Sequence, residues 1–170
     1  MSQNFGPDNA SLTIRTRRTG GAAKAGHDLV IEVQSWQATL DPEAQPAVTL
    51  TADSRSLRVL EGTGGIKSLS ESDKGDIKKT IDKEVLKGCE IEFRSSDVQE
   101  TPGGLSVRGE LSLNGKQSPV TFDLAVGEGG RVHGSATVTQ SAFGMKPYSA
   151  LFGALKVADD VEVAIDTKGG

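Results

Sequence analysis

Leu105 to Val126, LSVRGELSLNGKQSPVTFDLAV, is the stretch that decides the fold. Leu105, Val107, Gly109, Leu111 and Leu113 hold one parity, and Asn114-Gly115 follows at once. Strict alternation marks a strand with one apolar face. Asn-Gly between two such runs marks a two-residue hairpin, because both residues tolerate positive φ. The return run carries Val120, Phe122, Leu124 and Val126, with Pro119 near its start, where a missing N–H does least harm. The segment reads as a half-buried antiparallel hairpin.

The same period extends outward in both directions. Downstream, Gly127 to Gly130 turns the chain into Val132, Gly134, Ala136 and Val138, and a last run holds Val161, Val163 and Ile165. Upstream lie Ile91 and Phe93, then Val48, Leu50 and Ala52, with a short run from Leu57 to Leu60. Near the start, Leu12, Ile14 and Thr16 alternate with Thr13, Arg15 and Arg17. Between them, Leu29, Ile31 and Val33 are odd and Trp36, Ala38 and Leu40 even. That change of parity predicts a bulge or bend near Ser35, a device that curves a sheet.

Residues 70 to 87, SESDKGDIKKTIDKEVLK, are the one helical stretch. Ser70 is placed to cap the first turn with Asp73, and Ile77, Ile81 and Val85 form a narrow apolar stripe. Such a helix lies on a barrel or over its opening rather than inside a core. With no helices between the strands, the sheet is antiparallel. The expected fold is all-β: an eight-stranded antiparallel up-and-down barrel with one amphipathic helix, about 70–87. Residues 1–10 read as a flexible N-terminal tail and 11–168 as a single domain. Small residues of inward parity, Ala52, Gly109, Gly134 and Ala136, leave room in the middle for a ligand.

One segment breaks the pattern. Ser141 to Val157, SAFGMKPYSALFGALKV, has no two-residue period, yet Phe143, Tyr148 and Phe152 are three of only seven aromatics in the chain. An apolar insert before the last strand is expected to close or line a cavity.

Composition narrows the function. A net charge of −4 and a pI near 5.2 provide no positive field for phosphate backbones, so nucleic acid is not an expected partner. The single Cys89 excludes an internal disulfide and a cysteine-rich metal site. Residues 1–10 carry no secretion signal, and no window reaches a membrane span, so a cytoplasmic location is expected. His27 and His133 are the only histidines, too few for a zinc site of recognisable spacing. Gly62 to Lys67, GTGGIK, lacks the Gly-Lys-Ser/Thr order of a phosphate loop. No serine nucleophile elbow and no paired-carboxylate pattern occurs, so no catalytic residue, metal or cofactor is expected.

Several runs occur together in order: Gly26-His27-Asp28-Leu29, Ser56-Leu57, Ile91-Glu92-Phe93-Arg94-Ser95, Gly109 to Pro119, and Ser141 to Val163 with Phe-Gly and Gly-Ala-Leu-Lys-Val-Ala-Asp. On these the chain, from about Thr13 to Asp166, resembles the YceI-like, polyisoprenoid-binding family. The resemblance implies a lipocalin-like barrel with a helix across one side and a long isoprenoid held in its interior.

The expected ligand contacts are Phe143, Tyr148, Phe152, Trp36, Phe93, Phe122 and His27. For each aromatic, ordinary core packing is the alternative. His27 either bonds a polar head at the barrel mouth or is a core-edge histidine bonded to Asp28 or a backbone carbonyl. Arg15, Arg17 and Arg18 form either an anion contact or an exposed basic strand face. The leading function is non-enzymatic storage or transport of a long apolar lipid, an isoprenoid such as a quinone tail or polyprenyl chain. A barrel filled by its own side chains, serving as a structural or stress-related interaction module, is the alternative, with a homodimer left open. An enzyme acting on the lipid through His27 or Tyr148 is a third. Burying a forty-carbon tail at about 0.8 kcal/mol per CH₂ gives about 30 kcal/mol gross, beyond the ceiling of about 18–21 kcal/mol for real complexes. Ordering costs must therefore cancel much of it.

Overall fold

The computed structural model describes residues 3–19, 28–41, 43–44, 47–63, 70–85, 88, 90–145, 149–150 and 155–167. At the hairpin, Asn114 and Gly115 take φ of 56° and 72°, the left-handed pair a two-residue turn needs. The flanking strands pair from Lys116↔Leu113 to Ala125↔Gly104.

In chain order the elements are β1 (Gln3–Phe5), β2 (Ala10–Thr16), β3 (Arg18–Thr19), β4 (Asp28–Val33), β5 (Trp36–Leu40), β6 (Val48–Asp53) and β7 (Leu57–Thr63). Helix α1 (Glu71–Thr80) follows, then β8 (Glu90–Thr101), β9 (Gly104–Leu113), β10 (Lys116–Val126) and β11 (Val132–Thr139). The last are β12 (Ser149–Ala150), β13 (Leu155–Val157) and β14 (Asp160–Thr167). Eleven strands form one antiparallel sheet in the order β1-β5-β6-β8-β9-β10-β11-β14-β2-β4-β7. The short strands β12, β13 and β3 form a second sheet in that order.

The sheet curls because two of its strands are bent. β4 pairs with β2 and β7, whereas β5, its direct continuation, pairs with β6 and β1. One long hairpin, β4–β5 with β6–β7, thus belongs to both ends of the sheet and joins them. Its bend is held by Gln34 N donating to Ser56 O (2.9 Å) and Asp53 N donating to Ser35 O (3.0 Å). Ser35 N also donates to Ser56 Oγ (3.0 Å). This is the parity change at Ser35: Ile31 and Val33 before it, and Trp36, Ala38 and Leu40 after it, are all buried.

The strand count departs from expectation, at eleven rather than eight. The parity change at Ser35 marks a bend but not a break, so the sequence counts β4–β5 as one curved strand, and it places β1 in the tail. Gly6 to Asn9 does turn the chain, with Gly6 N donating to Asn9 Oδ1 (2.9 Å), but the turn folds Gln3–Phe5 back along β5. Ala10 is only 1% exposed.

Helix α1 begins as its sequence dictates. Asp73 N donates to Ser70 Oγ (3.1 Å) and Ser70 N donates to Asp73 Oδ2 (3.0 Å), a reciprocal capping box. After Thr80 the helix relaxes into a π-helical turn over Ile81–Val85. None of the α1 residues is fully buried, and among the described residues of this stretch only Ile77 and the following Ile81 pack against the core. With so little tertiary support, the cap carries weight. Ser70→Ala is expected to lower stability by about 1 kcal/mol, read as a lower urea midpoint at unchanged slope. An unchanged midpoint would mean that α1 adds nothing to global stability.

Candidate functional site

The inward positions of the curled sheet are almost entirely aliphatic, and they do not meet in the middle. They enclose a cavity of about 270 Å³. Leu12 and Ile14 of β2, Leu50 of β6, Leu111 of β9 and Val163 and Ile165 of β14 all face it. Space remains because Ala52 and Ala136 occupy wall positions where larger side chains would reach inward. At Gly134, also in the wall, a Cβ would lie 2.5 Å from the Asp123 carbonyl oxygen and 2.9 Å from the Leu124 side chain. Gly109 has a second role: a Cβ there would lie 2.6 Å from the Phe93 ring and collide with the Arg94 carbonyl. The missing side chain lets the Phe93 ring lie across β9 toward Phe122, whose centroid is 5.4 Å away at 57°.

Among the described lining residues there is no charged side chain and no histidine. The polar members are Thr16, Thr39, Ser135 and Gln140. Thr39 has outward parity, and its Oγ1 donates to Asn4 Oδ1 (3.1 Å) at the surface. Gln140 Nε2 donates to Ala158 O (3.1 Å). Thr16 Oγ1 is buried without a partner among the described residues. One part of the wall comes from outside the main sheet: Ile81 follows α1, and Met145 and Val157 flank the last strand.

The aromatic candidates separate. Phe93 and Phe122 line the cavity. Trp36 and Phe143, 6% and 1% exposed, are packed in the same hydrophobic core without being part of the wall. His27, Tyr148 and Phe152 lie outside the described residues. Phe5 and the aliphatic majority were not singled out beforehand, although inward parity marked most of them; Phe5, in the supposed tail, gave no such signal. The non-alternating segment starts as a 3₁₀ turn, Gln140–Phe143, ended by Gly144 at φ 68°, which accounts for its lost two-residue period there. Its base is fastened to the last strand's approach by Gln140 N donating to Asp159 O (2.8 Å) and Ser141 N donating to Asp159 Oδ1 (2.8 Å).

Arg15 and Arg17 are exposed and are not part of the wall; Arg15 stands across from Glu162 in the sheet. His133 is likewise exposed, opposite Asp166. Among the described residues no helix is long and apolar enough to cross a membrane.

An antiparallel sheet rolled around an apolar, uncharged hollow defines the class of β-barrels that can hold a small ligand. A family model for the YceI-like domain matches residues 31–169. The chain belongs to the YceI-like family. BcnA of Burkholderia cenocepacia has a similar structure, with a TM-score of 0.64 at 18% identity over 93% of this chain and 94% of that one. The YCEI protein of Campylobacter jejuni superposes with a TM-score of 0.53 at 13% identity, covering 82% and 85% of the two chains. A polyisoprenoid binding domain from Saccharophagus degradans gives 0.52 at 8% identity over 98% of each chain. At these identities the likeness shows a common fold. No curated protein matches the sequence.

Proposed function

We propose that the protein is a non-enzymatic carrier or store for one long apolar lipid at a time, with an isoprenoid chain, as a quinone tail or a polyprenyl chain, as its cargo. The observation that carries this reading is the cavity of about 270 Å³ walled by aliphatic side chains with no charged group among the described lining residues. Small-ligand sites span about 300–1,000 Å³, so the hollow stands near the small end of a ligand site rather than at the scale of a packing defect. Fold-level likeness to a polyisoprenoid binding domain supports the reading by analogy. The carrier reading also fits the chemistry of the wall, which among the described lining residues offers no acid–base pair to a substrate.

Mass spectrometry of an organic extract from natively purified protein tests it. The expected result is a stoichiometric apolar lipid with an isoprenoid mass series. An extract without lipid, together with no uptake of a polyene-tailed fluorescent probe, would overturn the reading in favour of a purely structural barrel.

A further inference from the structure

The cavity is chemically one-ended. Toward Leu40, Val48, Leu124 and Val132 its inward side chains are hydrocarbon; the polar lining residues there, Thr39 and Ser135, have outward parity, Thr39 Oγ1 being bonded to Asn4 Oδ1 and Ser135 being exposed. At the other end stands Thr16, last residue of β2, paired with Leu29 of β4. The neighbouring Arg17 O accepts from Ala158 N (2.7 Å), and Ala158 O accepts from Gln140 Nε2 (3.1 Å). Ala158 therefore ties Thr16 and Gln140 to the same end of the hollow, where both line it.

Four strand positions of inward parity carry hydroxyls: Thr16, Ser95, Ser118, which faces Leu111 and does not line the cavity, and Thr167, which faces Ala10 and whose Oγ1 accepts from Val132 N (3.1 Å). Ser95 of β8 accepts a hydrogen bond from Val48 N (2.9 Å) and does not line the cavity. Thr16 lines it, and its Oγ1 is buried with no partner among the described residues. A buried, unpaired hydroxyl is unfavourable, and a valine would fill the same space without that cost. Its presence is accounted for when something inside the cavity accepts the O–H.

Building on the lipid-carrier reading above, we infer that Thr16 is the contact for a neutral oxygen at the polar end of the cargo, a carbonyl, ether or hydroxyl. The apolar tail then runs toward Leu124 and Val132. A carboxylate or phosphate in the same place would be buried without a cation among the described lining residues, an arrangement that low-dielectric surroundings strongly disfavour.

The test uses the full chain, delipidated, with two probes of equal length: a long-chain methyl ketone and the corresponding alkane, each competed against a polyene-tailed fluorophore. Thr16→Val keeps the shape and removes the O–H. It is expected to weaken ketone binding about two- to twelvefold, the worth of one hydrogen bond, and to leave alkane binding unchanged. Thr16→Ser should restore the ketone preference. The lipid-free Thr16→Val protein should melt at the same temperature or higher, since it loses an unsatisfied hydroxyl. Equal weakening of both probes, or of neither, overturns the Thr16 assignment, as does a lower melting temperature with parallel losses. If wild-type protein takes up neither ketone nor alkane, the carrier reading itself fails and the Thr16 contact fails with it. Uptake of the alkane with no Thr16-dependent ketone preference removes only the contact.

Discussion

Ala136→Phe is expected to abolish uptake of long apolar chains while leaving the barrel folded. Ala136 lies on β11 opposite Val163 of β14, and both line the cavity. A benzyl group at this position points into empty space rather than into packed neighbours, so the usual overpacking cost of about 1–3 kcal/mol is an upper bound. The ring takes room that the cargo needs. Excluding only four methylenes, at about 0.8 kcal/mol each, removes about 3 kcal/mol and weakens binding about 200-fold. Probe titration together with a urea melt separates the two effects. A variant that binds normally would place the cargo elsewhere, and one that unfolds would show that the hollow is not open in solution.

Phe143→Ala has the opposite expected profile. Phe143 is 1% exposed in the main hydrophobic cluster, and it does not line the cavity. Its carbonyl also accepts from Asn114 Nδ2 (3.3 Å), which ties the 3₁₀ turn to the central hairpin. Truncating a buried phenylalanine costs about 3–5 kcal/mol, a large fraction of the about 5–15 kcal/mol that holds a domain together. The expected result is a large fall in melting temperature, with Phe143→Leu recovering most of it. Retained stability with selective loss of lipid would instead make Phe143 part of the binding surface.

How much of this was legible in the sequence depended on periodicity. The inward sets of β9, β10, β11 and β14 follow directly from alternation, and the Asn114-Gly115 turn and the Ser70 cap follow from residue chemistry. Alternation specifies a face but not a distance across the barrel. It marked Trp36 and Phe93 alike as inward, and only the curl of the sheet decides that Phe93 reaches the hollow while Trp36 is packed away from it. Choosing aromatics as contacts favoured rarity over parity, whereas most of the wall is leucine, isoleucine and valine. Phe5 was hidden for a different reason: a three-residue strand is too short to show a period.

The pairing of β2 with β14 has a consequence for how the molecule is made. Ser11 faces Asp166 and Ala10 faces Thr167, so the seam that encloses the hollow joins residues such as Ser11 and Asp166, 155 positions apart in sequence. Loop-closure entropy places such a contact late, and folds dominated by non-local pairing mature over milliseconds to seconds. On the ribosome, β2 waits for β14 to be synthesised, and until then the greasy inner surface of the hairpins is an open trough. A lipid lying in that trough needs no portal: the barrel can be built around it, with cargo and closing strand arriving as parts of one event.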